Sequence, residues 1–293
     1  SVIFFNFCIL ISPFYLMLKF EPIIFCLFLI LILGISHGAL DNIKGKKLFK
    51  LFGYKSNIYF YLTYILISIL IILSWLVFPN TVLLIFLVVA SYHFGKEDTV
   101  FSFKRKFLIS EFLFFLKGSS VILVPLLLKR AETIEIFRIL NFNVFENSFF
   151  TNQFLVIILF FSFISSLYIS LRKNTNLMGI MIMDFFSLFI LNFFLTPILA
   201  FTLYFCFLHS IRHSIKLIFE LDKSFKAGLK KFVSKAIPLT LVTGIIFLIS
   251  IFFLNNFYKL DEAIYKVIFI GLASLTFPHI LLEYLLEKNE KRT

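Results

Sequence analysis

The sequence predicts an all-α, polytopic transmembrane helical bundle of about ten spans. Three observations carry that reading. Sixty per cent of the residues are hydrophobic and the mean hydropathy is +1.00, whereas soluble domains are nearer half apolar. Apolar runs of bilayer-crossing length recur along the whole chain. Basic residues gather in alternate connections between those runs, the pattern that orients membrane proteins. No linker, low-complexity stretch or internal repeat interrupts the series, so 1–293 reads as a single integral membrane domain.

In chain order the expected spans are 2–18, 22–40, 58–78, 81–95, 107–128, 150–171, 177–193, 197–215, 236–254 and 263–286. About 20 residues cross a hydrocarbon core, so 2–18, 81–95 and 177–193 are short and read as tilted or re-entrant. The first run lacks a basic flank and a small-residue cleavage site, and reads as a span rather than a signal peptide. The loops 41–57, 96–106, 172–176 and 216–235, with the tail 287–293, hold 20 of the 28 Lys and Arg residues. The alternate connections hold five. This alternation places the basic loops in the cytoplasm and the chain in the cell (inner) membrane. It also accounts for the net charge of +12 without a nucleic-acid partner. Trp75 suits the outer interface, and Tyr54, Tyr59, Tyr61 and Tyr64 the inner one. Cys8, Cys26 and Cys206 lie in apolar runs with no metal-binding spacing. The 45 Phe residues follow from a coding bias that also favours Ile, Lys and Asn, and do not by themselves show a polyene tunnel.

The chemistry lies in five histidines: His37, His93, His209, His213 and His279. His209 and His213 are four residues apart, so a regular α-helix would carry them on one face. With this topology, all five fall in the cytoplasmic half of the membrane. Intramembrane ionisable side chains face a bundle interior or cavity by default, which predicts a shared polar site near the inner face. Neutral imidazoles suit first-row transition metals, and metal-bound histidines pass their other N–H to a carboxylate or carbonyl. Asp41 lies four residues after His37 and Glu283 four after His279, each within reach on a helical turn. Asp184, mid-span, is placed to orient a histidine or to pair with Arg212. Glu97 and Asp98 read as interfacial charges, with support for His93 as the alternative. Gly38 and Gly95 would let a helix or ligand approach. Lys117, near mid-span, has no assigned role.

Four segments, His-Gly-Ala-Leu-Asp at 37–41, Tyr-His-Phe-Gly with following acids at 92–98, His-Ser-Ile-Arg-His at 209–213 and Pro-His at 278–279, occur in order. In these the chain resembles the Brp/Blh family, the membrane β-carotene 15,15′-dioxygenases that supply retinal to microbial rhodopsins. The resemblance covers about 30 to 290. It implies a non-haem Fe(II) held by His37, His93, His209 and His213 as catalytic ligands. It also implies oxidative cleavage of the central double bond of β-carotene, or a similar polyene drawn from the lipid bilayer, by O2 to give two all-trans-retinal molecules. His279, Asp41, Asp184 and Glu283 would support the ligands or line the substrate pocket. Phe94, Phe205 and Phe207, beside the ligands, could line the polyene path or pack the core. Where the family often has Pro before the first motif and a further His after its Asp, this chain has Ser36 and Asn42.

Other classes compete. A di-iron membrane hydroxylase draws on about eight histidines, too many for this chain. A haem held between helices or a transporter with a histidine-lined path is compatible with five. The transporter would continue its polar residues towards the outer face, where this sequence has few. A rhodopsin-like pigment would need a Schiff-base lysine in a seven-helix frame.

Overall fold

The computed structural model describes residues 1–17, 22–54, 56, 58–99, 108–172 and 178–290. Its α-helices, in chain order, are α1 (Val2–Ile11), α2 (Ile23–Leu29), α3 (Asp41–Leu51), α4 (Ile58–Val77), α5 (Pro79–Glu97), α6 (Leu108–Leu128), α7 (Arg130–Ile139), α8 (Asn152–Leu171), α9 (Met178–Phe194), α10 (Pro197–Leu203), α11 (Ile211–Leu221), α12 (Phe225–Leu254) and α13 (Leu260–Glu290). Among the described residues there is no β-strand, which bears out the all-α class.

The span count differs from expectation. Six helical segments are long and apolar enough to cross a membrane: Ile58–Val77, Ile109–Leu128, Asn152–Leu171, Pro197–Leu221, Phe225–Leu254 and Leu260–Asn289. Val2–Tyr15, Ile23–Gly34 and Met178–Phe194 are apolar but shorter. Ten spans are therefore not established. Two of the remaining runs, 2–18 and 22–40, also change winding. After Ile11 the chain turns into a 3-10 segment (Ser12–Met17), and after α2 it passes through a π-helical (Ile30–Gly34) and a 3-10 segment (Ile35–Leu40). Hydrophobicity alone does not report such changes of pitch.

The chain divides into two compact units. Unit 1 comprises Ser1–Cys26 and Leu87–His209. Here α8 packs on α6 and α9, and α1 on α9. A row of buried serines on α8 (Ser162, Ser165, Ser166 and Ser170) keeps that interface thin. Ser162 donates to the Lys117 carbonyl of α6 at 3.2 Å. Gly95 on α5 and Gly118 on α6 face one another so closely that a Cβ on either would strike the opposing backbone, at the Phe114 or the Ser91 carbonyl oxygen. Gly95 thus serves the helix approach that the sequence suggested. After α6, the connection 129–149 folds into the unanticipated α7, which buries Thr133, Ile136 and Phe137. Phe137 joins a knot of rings with Phe142 and Phe145.

Unit 2 comprises Leu27–Phe86 and Ser210–Thr293. Within it α13 packs on α3, α4 and α12, and α11 on α12. Leu48, Phe60, Leu282 and Leu286 form one buried cluster and Leu40, Leu217, Ile218, Phe232 and Ala236 another. Among the described residues, a Cβ at Gly38 would meet Asp41 Oδ2 at an ordinary van der Waals distance, 3.6 Å. Trp75 is buried, with its ring 6.5 Å from that of Phe86.

Burial separates the helices by role. Only 11% of the span in α4 and 17% of that in α12 is buried, against 67% for Pro197–Leu221 and 50% for α13. The first two turn rows of Ile, Leu and Val outwards, which in water would be an oversized apolar surface. The last two carry His209, His213 and His279, all three of them buried.

The glycine contacts make opposite-signed predictions. Gly118→Ala should destabilise by about 1–3 kcal/mol through overpacking. Gly244→Ala, where an added Cβ meets nothing within 4 Å, should gain up to about 1 kcal/mol of helix propensity. Thermal unfolding in detergent checks the signs; a neutral Gly118→Ala would refute the close crossing.

Candidate functional site

In unit 1, His93 near the end of α5 and His209 in the segment Tyr204–Ser210 are both buried. Their ring centroids are 5.1 Å apart. Phe94 lies edge-on to His209 at 4.8 Å and Phe205 stacks on it at 5.7 Å. Both phenylalanines are core residues here, while Phe207 packs near the ring of Phe7 at 6.1 Å. Asp98 Oδ1 is 3.0 Å from His209 Nδ1, and Asp98 Oδ2 accepts from the Tyr204 hydroxyl. Asp98 is therefore a buried partner of His209 rather than an interfacial charge. An ionised carboxylate is acceptor-only, so a neutral His209 beside it would keep its proton on Nδ1 and offer Nε2.

The winding makes this arrangement possible. Tyr204–Ser210 is π-helical. Residues five apart, such as Tyr204 and His209, stand on one face of a π-turn but diverge on an α-helix. The same winding changes the assumption behind the His209–His213 spacing. A regular α-helix over both residues was expected, yet α-helical geometry begins only at Ile211.

Unit 2 holds a matching arrangement. His279 on α13 is buried, with Nδ1 2.9 Å from both oxygens of Asp41. The Tyr64 hydroxyl on α4 donates to Asp41 Oδ2 at 3.0 Å, with the Leu275 carbonyl 3.2 Å away. Glu283 Oε2 is 3.8 Å from His279 Nε2, and Glu283 Oε1 pairs with Lys44 at 2.9 Å. His213 on α11 is buried, its ring centroid 6.1 Å from that of His279. Asp41, expected to serve His37 across four residues of α-helix, opens α3 at the end of a 3-10 segment and serves His279. His37 belongs to that 3-10 segment, and its side chain lies outside the described residues.

Asp184 on α9 borders a cavity in unit 1 lined also by Lys117, Asp98, Tyr204, Ser120 and Ser166. No histidine among the described residues lines it. Its volume of about 30 Å³ takes about two water molecules and no polyene. Lys117 Nζ donates to Thr99 Oγ1 at 3.1 Å and reaches the Gly95 carbonyl at 3.4 Å. Such polar partners make a buried lysine tolerable in a span.

Within each unit the donors suit a transition metal. Two imidazoles on one ion, each nitrogen about 2.1 Å from it, keep their centroids within about 6.5 Å. The separations of 5.1 and 6.1 Å meet that limit. Carboxylates already hold Nδ1 of His209 and His279, as they do for ligating histidines. Sequence reasoning missed three partners: Asp98, masked by the charged run Lys96-Glu97-Asp98; Tyr204, whose five-residue offset matters only on a π-turn; and Tyr64, which reads as an interface aromatic.

Comparison with known proteins gives two findings. The family described as "Beta-carotene 15,15'-dioxygenase" matches residues 28–287. The "Beta-carotene 15,15'-dioxygenase" of uncultured marine bacterium 66A03 is 29% identical over 275 residues, covering 90% of this chain and 94% of its own. No solved structure matches.

The Tyr204–Asp98–His209 contacts predict a stability pattern. Asp98→Ala strands two buried donors and should cost about 1–3 kcal/mol, whereas Tyr204→Phe should cost about 1 kcal/mol. The double variant should lose less than the sum, because the two changes remove one shared contact. Thermal unfolding in detergent measures all three, and strict additivity would contradict the arrangement.

Proposed function

The chain belongs to the beta-carotene 15,15′-dioxygenase family, and on that premise we propose that it splits the central C15=C15′ double bond of β-carotene with O2 into two all-trans-retinal molecules. The carrying observation is the extent of the match, 28–287, which contains all five histidines. His37, His93, His209 and His213 are the proposed ligands of a non-haem Fe(II). Bound there, the iron supplies the activation of O2 that a closed-shell polyene cannot provide. The reaction balances without a reductant or proton: one C=C bond breaks and each oxygen atom ends as one aldehyde carbonyl.

The chain's own residues then have three tasks. Asp98 holds His209 in the tautomer that offers Nε2, with Tyr204 fixing the carboxylate. Phe94 and Phe205 close around that imidazole and keep water from it. The apolar outer rows of α4 and α12 meet lipid, from which so insoluble a substrate enters sideways between helices. We place the protein in the cell (inner) membrane as a multi-pass chain with its site in the cytoplasmic half, where released retinal can reach a microbial rhodopsin.

Expression in a host that accumulates β-carotene tests the proposal. Wild type should bleach the cells and form retinal, and iron chelation of the purified protein should stop turnover. His209→Ala should insert normally and lose at least 100-fold in retinal formation, the scale of an essential group. Wild-type activity in that variant would remove His209 from the site. Well-inserted wild-type protein that holds no iron and leaves carotenoids intact would favour the transporter reading.

A further inference from the structure

The two units contain the same three-residue device. In unit 1 a tyrosine hydroxyl and a histidine Nδ1 converge on the buried carboxylate of Asp98. In unit 2 the Tyr64 hydroxyl and His279 Nδ1 converge on Asp41. His209, so held, is one of the proposed iron ligands. His279 has the same preparation, with His279 and Asp41 4% and 5% exposed. It also lies beside another proposed ligand, His213, at a ring separation two imidazoles can keep on one ion.

From this duplication we propose that His279 is itself a metal ligand, offering Nε2, with Asp41 and Tyr64 as the positioning residues that hold it. The inference rests on the iron reading above. An aspartate on Nδ1 is the arrangement that ligating histidines commonly carry. Burying that carboxylate is costly without donors, and Asp41 receives two, from elements far apart in sequence. With Nδ1 held by Asp41, the rigid ring fixes the position of Nε2. Here Nε2 is bracketed by Glu283 Oε2 at 3.8 Å on the helical turn that follows. Lys44 in turn engages the other oxygen of Glu283 at 2.9 Å.

The test uses the full-length protein in detergent, loaded anaerobically with Fe(II) or with Co(II) as an optical probe. Bound metal and the Co(II) visible spectrum are recorded alongside thermal unfolding. His279→Gly should lower metal affinity at least 10-fold and alter the Co(II) bands, and added imidazole should restore both. Asp41→Asn, with His279 in place, should weaken metal binding about 10-fold. His279→Gln, closer in volume, should repeat the metal loss while keeping the unfolding temperature within a few degrees. Wild-type affinity and spectrum in both His279 variants would overturn the inference. A raised KM for β-carotene with unchanged metal would assign His279 to the substrate pocket instead. If the wild-type protein takes up neither metal, the iron reading falls and this inference with it.

Discussion

A carboxylate inside an apolar helical protein must find donors, and most of what is specific in this chain follows from meeting that demand twice. Asp98 and Asp41 are each 5% exposed. Each is met by one phenol and one imidazole. Asp41 draws its donors from two helices, α4 and α13, and Asp98 draws both of its donors from the single segment Tyr204–Ser210, so satisfying each carboxylate ties separate stretches of the chain together. The irregular windings are part of the same solution. The π-helical turn at Tyr204–Ser210 sets a tyrosine and a histidine on one face, and the 3-10 segment Ile35–Leu40 delivers Asp41 to the first turn of α3. There the helix dipole favours a negative charge.

The chemistry proposed here suits such a frame. Oxidative scission of a symmetrical polyene consumes no proton and no reductant. The protein therefore needs no relay to solvent and no docking face for an electron donor. It needs imidazoles with defined tautomers, dryness, and a route for an insoluble substrate. Aspartates on Nδ1 supply the first, phenylalanines around His209 the second, and helices whose outer rows face lipid the third. The small polar pocket at Lys117 and Asp184 is a separate matter. It lets one buried cation keep polar company inside unit 1.

How much of this was legible depended on range. Helical class followed from hydropathy, because only a helix satisfies its backbone within an apolar run. The histidines stood out because so few ionisable groups occur in those runs. Local spacing was less dependable. Asp41 pointed to His37 by a four-residue rule that assumes α-helical pitch, but it reaches a histidine more than two hundred positions away. Asp98 looked like one more charge in Lys96-Glu97-Asp98, since nothing in a linear run shows which member turns inwards. The helix α7 was missed because Arg130, Glu132, Glu135 and Arg138 dominate its composition, while its apolar face is only Ile136 and Phe137 with Thr133. Six of the ten apolar runs correspond to helices long and apolar enough to cross a membrane; hydropathy alone did not show which runs change pitch midway.

The length of α12 has a consequence of its own. Thirty residues make a rod about 45 Å long, whereas the hydrocarbon layer is about 30 Å thick. Its lysines, Lys226, Lys230, Lys231 and Lys235, all fall in the first eleven residues, and no charged residue follows from Ala236 to Leu254. In a bilayer the surplus is thus spent at one end, and the step from Lys235 to Ala236 marks the waterline. Lipid thickness, acting on that step, would set how far three helical turns stand out of the membrane. The bilayer becomes a ruler against which α12, and the α11 and α13 surfaces packed on it, take their height.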